Sequence, residues 1–127
     1  MIAKKGLQYT ENHEWLKQEG RMVRIGITDF AQEKLGDVVF VELPAVDDQV
    51  TKEDPFTVVE SVKAVSDVFS PVSGVIVAIN ETLEDSPELI NEDPYDQGWI
   101  VEVEPIDEFS FEGLMSPEEY QAYIEEE

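Results

Sequence analysis

One lysine in this chain lies between two short runs of β-branched residues. Residues 58–71 read VVESVKAVSDVFSP, with Lys63 near the centre. Because Val favours pleated, half-buried backbone, the pattern predicts a strand, a tight turn and a second strand, with Lys63 at the tip. A projecting amine on a rigid hairpin is accessible to a modifying enzyme. The spacing therefore suits acylation of Lys63 by a prosthetic group.

An unmodified, solvated lysine is the simpler interpretation, because lysine is mostly an exposed residue without a chemical role. Three features of the sequence favour the acceptor. Every Lys and Arg lies at or before position 63, so this lysine is the last cation before a carboxylate-rich half. Its neighbours are small or apolar, and another strand-like run, residues 71–79, follows directly.

Catalytic motifs are missing from the sequence. His13 is the only histidine, and beside Trp15 it is predicted to pack or to form hydrogen bonds rather than to act as a base. The chain contains no cysteine, no Gly-x-Ser-x-Gly elbow, no glycine-rich phosphate loop and no EF-hand loop. These observations predict a protein that is neither an enzyme nor a metal binder.

The composition indicates one acidic, folded domain spanning residues 1–127. The formal charge is −22, and 42% of the residues are hydrophobic, more than an acidic disordered chain contains. Such a surface repels nucleic acid and anionic membranes and favours partners with basic docking faces. No targeting or membrane-spanning segment is visible, which predicts a cytoplasmic protein, or a mitochondrial matrix protein if this is a mature eukaryotic form.

Helix boundaries carry clear signals. Thr28 can cap a helix over residues 29–35, Gly36 can end it, and residues 116–119 (SPEE) form a capping-box pattern. The elements predicted are strands over residues 22–27, 38–43, 75–79 and 99–104, helices over 29–35 and about 116–125, a helical turn from Ser86, and a loop over 91–98.

Many segments resemble the glycine cleavage system H protein family, in the same order along the chain. The lysine hairpin matches at Glu60-Ser61-Val62-Lys63-Ala64 and at Ser66-Asp67, and the resemblance runs from about Leu7 to Tyr123. The other matching segments are Tyr9-Thr10, His13-Glu14-Trp15, Gly26-Ile27-Thr28, Ala31-Gln32, residues 35–44 (LGDVVFVELP), residues 70–74 (SPVSG), residues 86–91 (SPELIN), Asp93-Pro94-Tyr95 and Gly98-Trp99.

This resemblance implies a mainly β fold, the lipoyl/biotinyl-type barrel-sandwich hybrid, with short helices and a C-terminal helix. The lipoyl-like core would span about residues 20–104. It also implies that lipoate is attached to Lys63 by a lipoate ligase or octanoyltransferase. The carrier, expected to be a monomer, would take the aminomethyl group of glycine from the P protein (a pyridoxal-phosphate decarboxylase) to the T protein, which uses tetrahydrofolate. The flavoprotein L protein, dihydrolipoamide dehydrogenase, would reoxidise it.

The resemblance also implies roles for several residues near the arm. Positions matching Asn12, Glu14 and Asp67 line a cleft that protects a cationic arm, although Glu14 and Asp67 are equally two of thirty acids. Glu60 and Ala64 would be read by the lipoylating enzyme. The family often has glycine near Asp47 and near Glu53-Asp54, where altered turns are expected, and it matches residues 107–115 only loosely.

Two alternatives remain open on the sequence. The protein could relay octanoyl or lipoyl groups from Lys63 to the lipoyl domains of other proteins. It could also be an interaction module whose Lys63 is never modified.

Overall fold

A computed structural model describes residues 3–106 and 113–126 of the protein. Two antiparallel sheets and four short helices make up this part of the chain. The strands are β1 (Gln8–Tyr9), β2 (Glu14–Glu19), β3 (Met22–Ile27), β4 (Val38–Glu42), β5 (Gln49–Val50), β6 (Pro55–Ser61), β7 (Val65–Phe69), β8 (Gly74–Ile79) and β9 (Val101–Pro105). The helices are α1 (Asp29–Leu35), α2 (Thr82–Asp85), α3 (Leu89–Glu92) and α4 (Pro117–Glu125).

The larger sheet has six strands in the order β1-β2-β3-β9-β8-β5, and the smaller sheet has three in the order β4-β6-β7. Alternate residues of both sheets point into one apolar core that includes Ile25, Val59, Val68, Ile76 and Val103. The half-buried alternation that predicted the strands thus reflects two sheets that cover each other's inner faces.

A second apolar cluster joins the N-terminal residues to α4. Tyr9 stacks on Tyr120 with 4.4 Å between ring centroids, and Trp15 is fully buried beside them. Trp15 Nε1 donates a hydrogen bond to Pro94 O at 2.9 Å. Gly26 allows this packing, since a Cβ there would lie 2.7 Å from the indole ring.

Both predicted helix caps are present. Thr28 Oγ1 accepts a hydrogen bond from Ala31 N at the start of α1, and Gly36, at φ 82°, ends the helix. Ser116 and Glu119 form the predicted capping box of α4, whose Tyr120 and Ile124 are buried.

Several predicted boundaries were wrong. The predicted loop over residues 91–98 begins inside α3, which is the helical turn expected from Ser86, and α2, which ends before Ser86, was not predicted. The last strand starts at Val101 rather than at residue 99, and the two-residue β5 was not predicted. Four-residue turns and two-residue strands are too short to leave a periodic pattern.

Acids in both turns that were expected to be altered have a left-handed backbone. Asp47 has φ 79° and Glu53 has φ 73°. Most of the loosely matching segment, residues 107–112, lies outside the described residues. Within the described residues, no helix is both long and apolar enough to span a membrane.

Candidate functional site

Lys63 lies at the tip of the β6–β7 hairpin, as the strand pattern predicted. Ser61 N donates to Ala64 O at 2.8 Å, and Ser61 Oγ accepts from Lys63 N at 3.3 Å and Ala64 N at 3.0 Å. One serine therefore satisfies the turn's amides and leaves both Lys63 and Ala64 exposed. Val62 N donates to Asp37 O at 2.9 Å and fastens the tip to the segment after α1.

The lysine side chain extends over Gly36. A Cβ added at Gly36 would lie 3.2 Å from Lys63 Cε and 3.8 Å from Nζ. No ion pair found among the described residues involves Lys63, and its side chain is exposed. The amine is thus accessible to a modifying enzyme.

Asn91 supports the segment beneath the lysine. Its Nδ2 donates to Gly36 O at 2.9 Å and to Gln32 Oε1 at 3.0 Å, and its Oδ1 accepts from Val38 N at 2.8 Å. In the sequence, Asn91 stood out only as part of a matched segment. No local pattern indicates hydrogen bonds to partners more than fifty positions away, so this role was missed.

A cleft of about 370 Å³ lies between α1 and the free edge of β7. It brings together Asn12, Glu14 and Asp67, which had been grouped from the sequence through the family resemblance. Glu60 and Ala64 do not line it. The remaining lining residues are His13, Ile27, Phe30, Ala31, Lys34, Leu35, Ser66 and Val68.

Glu14 is a buried acid rather than an ordinary surface carboxylate. Its residue is 2% exposed; Thr10 Oγ1 donates to Oε1 at 2.6 Å, and Phe69 N donates to Oε2 at 3.2 Å. Burial raises its pKa from 4.5 to about 7, although the hydrogen bonds from Thr10 and Phe69 act in the opposite direction. Near neutral pH, Glu14 is therefore only partly ionised. Asp67, by contrast, is exposed, as ordinary surface acids are.

A second cleft, of about 290 Å³, shares residues with the first. Asn12 and Glu14 line both, and Lys52 lines only the second. Glu14 therefore lies where the two clefts adjoin and lines both of them.

His13 packs and forms hydrogen bonds, as predicted. Its ring lies 4.6 Å from that of Phe30, and Nδ1 is 2.8 Å from Tyr120 Oη. The same Oη lies 2.8 Å from Thr28 Oγ1, so Tyr120 joins α4 to the cap of α1. His13 thereby contributes to one wall of the cleft.

Glu60 lies one residue before the turn. On the outer face of the small sheet it is opposite Phe40 on β4 and Val65 on β7. It is half-buried between these two apolar side chains.

Comparison with known proteins places this fold and site in one family. The family model described as Glycine cleavage H-protein matches residues 7–127. A glycine cleavage system H protein from Halalkalibacterium halodurans is 57% identical over 121 residues, which is 95% of this chain and 94% of the relative. One from Bacillus licheniformis is 53% identical over 127 residues, the full length of both.

A solved structure agrees with these relatives. The crystal structure of a glycine cleavage system H protein from Mycobacterium marinum superposes with a TM-score of 0.88, at 38% identity, over 96% of this chain and 98% of that one. The fold is accordingly the barrel-sandwich lipoyl type. The chain belongs to the glycine cleavage H-protein family.

Members of this family are carriers rather than catalysts, and they hold lipoate covalently on a lysine. The residues present fit such a group. Lys63 offers an exposed amine on a hydrogen-bonded turn, and the neighbouring hairpin strand, β7, borders a cleft with both apolar and carboxylate walls.

Proposed function

We propose that this protein carries lipoate on Lys63 and serves as the lipoyl carrier of a glycine cleavage system. Family membership supports the carrier role and the lipoate. The observation that carries the assignment to Lys63 is its exposed amine at the tip of the hairpin. The protein interacts with the P, T and L proteins of that system.

Loading needs chemistry that Lys63 can undergo and that a partner must complete. At neutral pH, lysine is an ammonium ion, so a lipoate ligase or octanoyltransferase must remove a proton and supply an activated acyl group. Nζ bonds to the acyl carbon, the leaving group departs, and a second proton is lost from nitrogen. The amide is neutral, so the loaded carrier is one charge unit more negative.

Lipoate held on Lys63 would supply a disulfide that is reduced as it takes up the aminomethyl group of glycine at the P protein. The T protein would remove that group and leave a dithiol, which the L protein would reoxidise to the disulfide. We assign pyridoxal phosphate, tetrahydrofolate and FAD to those three enzymes. The hairpin keeps the attachment point at a fixed place on the surface. Tethering raises the effective concentration of the reactive end near each partner.

We propose that the cleft beside β7 receives the cationic end of the loaded arm. Asp67 presents an exposed carboxylate there, Glu14 presents a carboxyl group that ionises near neutral pH, and Asn12 offers an amide. An ionised Glu14 is stabilised by a neighbouring cation, so the arm itself would favour the charged form. Glu60 and Ala64, beside the lysine, are proposed recognition points for the lipoylating enzyme.

We also propose that the chain is one carrier domain, acting as a cytoplasmic monomer. Bacterial relatives of the same length support the first and second of these assignments. A monomer leaves the hairpin free for three enzymes in turn.

Replacing Lys63 tests the assignment. In a reconstituted glycine cleavage assay, Lys63→Arg treated with lipoate, ATP and a lipoate ligase is expected to stay unacylated and to support no turnover above background. Arginine keeps the charge and the exposure. Lys17→Arg, at another exposed lysine, on β2, should load and turn over as the wild type does. Turnover by Lys63→Arg would reject the proposal.

A further inference from the structure

Large apolar side chains are exposed around Lys63. Val39 is 54% exposed, Phe40 50%, Val62 68% and Val65 68%. We refer to these four residues as the hairpin face. They account for most of the exposed large hydrophobic residues in the described chain; the others are Met22, Val46 and Ile106.

Strand register places two residues of the hairpin face, Phe40 and Val65, on one side of the small sheet. Phe40 is paired with Glu60, which is paired with Val65, and residues directly opposite one another point to the same side. The register shifts between Val38 and Phe40, so Val39 and Phe40 are both exposed while Val38 and Val41 are buried. Val62 lies next to Lys63 in the turn.

Carboxylates lie both within and beside the hairpin face. Glu60 lies between Phe40 and Val65, and the next row on the same side pairs Glu42 with Val58 and Val58 with Asp67. Exposed apolar residues with charged residues at their edge are the usual anatomy of a protein interface, and here one carboxylate, Glu60, also lies among the apolar residues. A partner that fits it has an apolar contact surface edged with basic residues.

We propose that the hairpin face is the docking surface for the enzyme that acylates Lys63, an inference that rests on the proposed function. This enzyme forms a bond to Nζ itself, so its active site must cover the residues beside the lysine. Enzymes that act on the far end of the arm need not approach the hairpin so closely. The exposed apolar residues beside Lys63 are therefore assigned to the acylating enzyme.

Threonine substitutions test the docking surface while keeping strand propensity. The triple variant Val39→Thr, Phe40→Thr, Val65→Thr is expected to raise the KM of a lipoate ligase for the unmodified carrier about tenfold, with kcat within about twofold, because apolar anchors at the centre of an interface carry most of its binding energy. The control is Val46→Thr with Ile106→Thr, which replaces two exposed apolar residues outside the hairpin face.

Far-UV circular dichroism and thermal unfolding establish that each variant is folded, and the single variant Phe40→Thr replaces the triple variant if it is not. A KM equal to that of the control would overturn the proposal. So would an equal loss when the already lipoylated variant is assayed with dihydrolipoamide dehydrogenase, since the surface would then serve the arm's other partners too. Failure of the wild type to be acylated at Lys63 would instead reject the proposed function.

Discussion

The burial of Glu14 could not be predicted from its residue type. In the sequence it is one of thirty acids, and only the family resemblance distinguishes it from most of the others. In the structure it is buried, and Phe69, fifty-five positions away, donates a backbone hydrogen bond to it. Lys63, in contrast, could be predicted as exposed, because strand propensity and turn residues next to it in sequence determine its position.

The raised pKa of Glu14 makes stability depend on pH. An unfolded Glu14 loses its proton near pH 4.5 and the folded one near pH 7, so the unfolded state binds fewer protons between these values. The contribution of Glu14 to the free energy of unfolding therefore falls as pH rises through that window and is constant above it. As the pH rises across the window, the free energy of unfolding of Glu14→Gln should therefore increase by about 2 to 3 kcal/mol relative to that of wild type.

Urea unfolding of both proteins at several pH values measures this difference, and the many exposed acids cancel in the comparison. Glutamine can still accept from Phe69 N and donate to Thr10 Oγ1, so the site keeps its hydrogen bonds. A difference that does not change with pH would show that Glu14 titrates as an ordinary acid.

The proposed cleft makes a separate prediction for the loaded carrier. Glu14→Ala removes a carboxyl group that would stabilise and cover the cationic arm, so the loaded variant should release ammonia and formaldehyde about tenfold faster than wild type, the effect of losing one charge-assisted hydrogen bond. Glu81→Ala, an exposed acid in the turn before α2, is the matched control. Release no faster than from wild type would mean that the cleft does not protect the arm.

Among the elements, the connection between α1 and β4 determines how the hairpin is held. Thr28 and Gly36 predicted the ends of α1 because capping chemistry is local to a few residues. The hydrogen bonds of Asn91 to this connection could not be predicted in the same way, since α3 approaches α1 only in the folded chain.

Gly36→Ala tests that connection. Gly36 has φ 82° and ψ −163°, a region that costs a residue with a Cβ about 1 to 3 kcal/mol. Its new methyl group would also push against Lys63 Cε. We expect a larger loss in the free energy of unfolding than for Gly20→Ala, together with slower acylation of Lys63.

Gly20 is a suitable control because it too has positive φ, 63°, and a Cβ added there would meet no atom within 4 Å. Urea unfolding gives the stability of both variants, and intact mass against time gives the acylation rate. If both variants lose the same free energy of unfolding and the acylation rate is unchanged, Gly36 has no effect on Lys63.

At the scale of the molecule, the sequence predicted the fold class through its resemblance to a family and through alternating strand patterns. The pairing of nine strands into a six-stranded and a three-stranded sheet did not follow from those patterns. Neither did β5, whose Gln49 and Val50 are held by pairing with β8 rather than by their own propensity. A local sequence pattern does not determine which distant strands pair with one another.

The charge of −22 predicts how the molecule meets its partners. The rate at which dihydrolipoamide dehydrogenase uses the lipoylated carrier should fall about tenfold as ionic strength rises from about 0.01 M to about 0.15 M, because screening removes long-range attraction to a basic docking face. Free lipoamide, which is uncharged, should show little change. A carrier rate as insensitive to salt as that of lipoamide would exclude electrostatic steering.

Attachment of lipoate to Lys63 can be measured by the intact mass of the protein, purified from cells that contain lipoate and a lipoylating enzyme, followed by peptide mapping. We expect a mass increase equal to one lipoyl group, located on the peptide that contains Lys63 and on no other lysine. An unmodified Lys63 from such cells would contradict the carrier function and favour an interaction module that never carries lipoate.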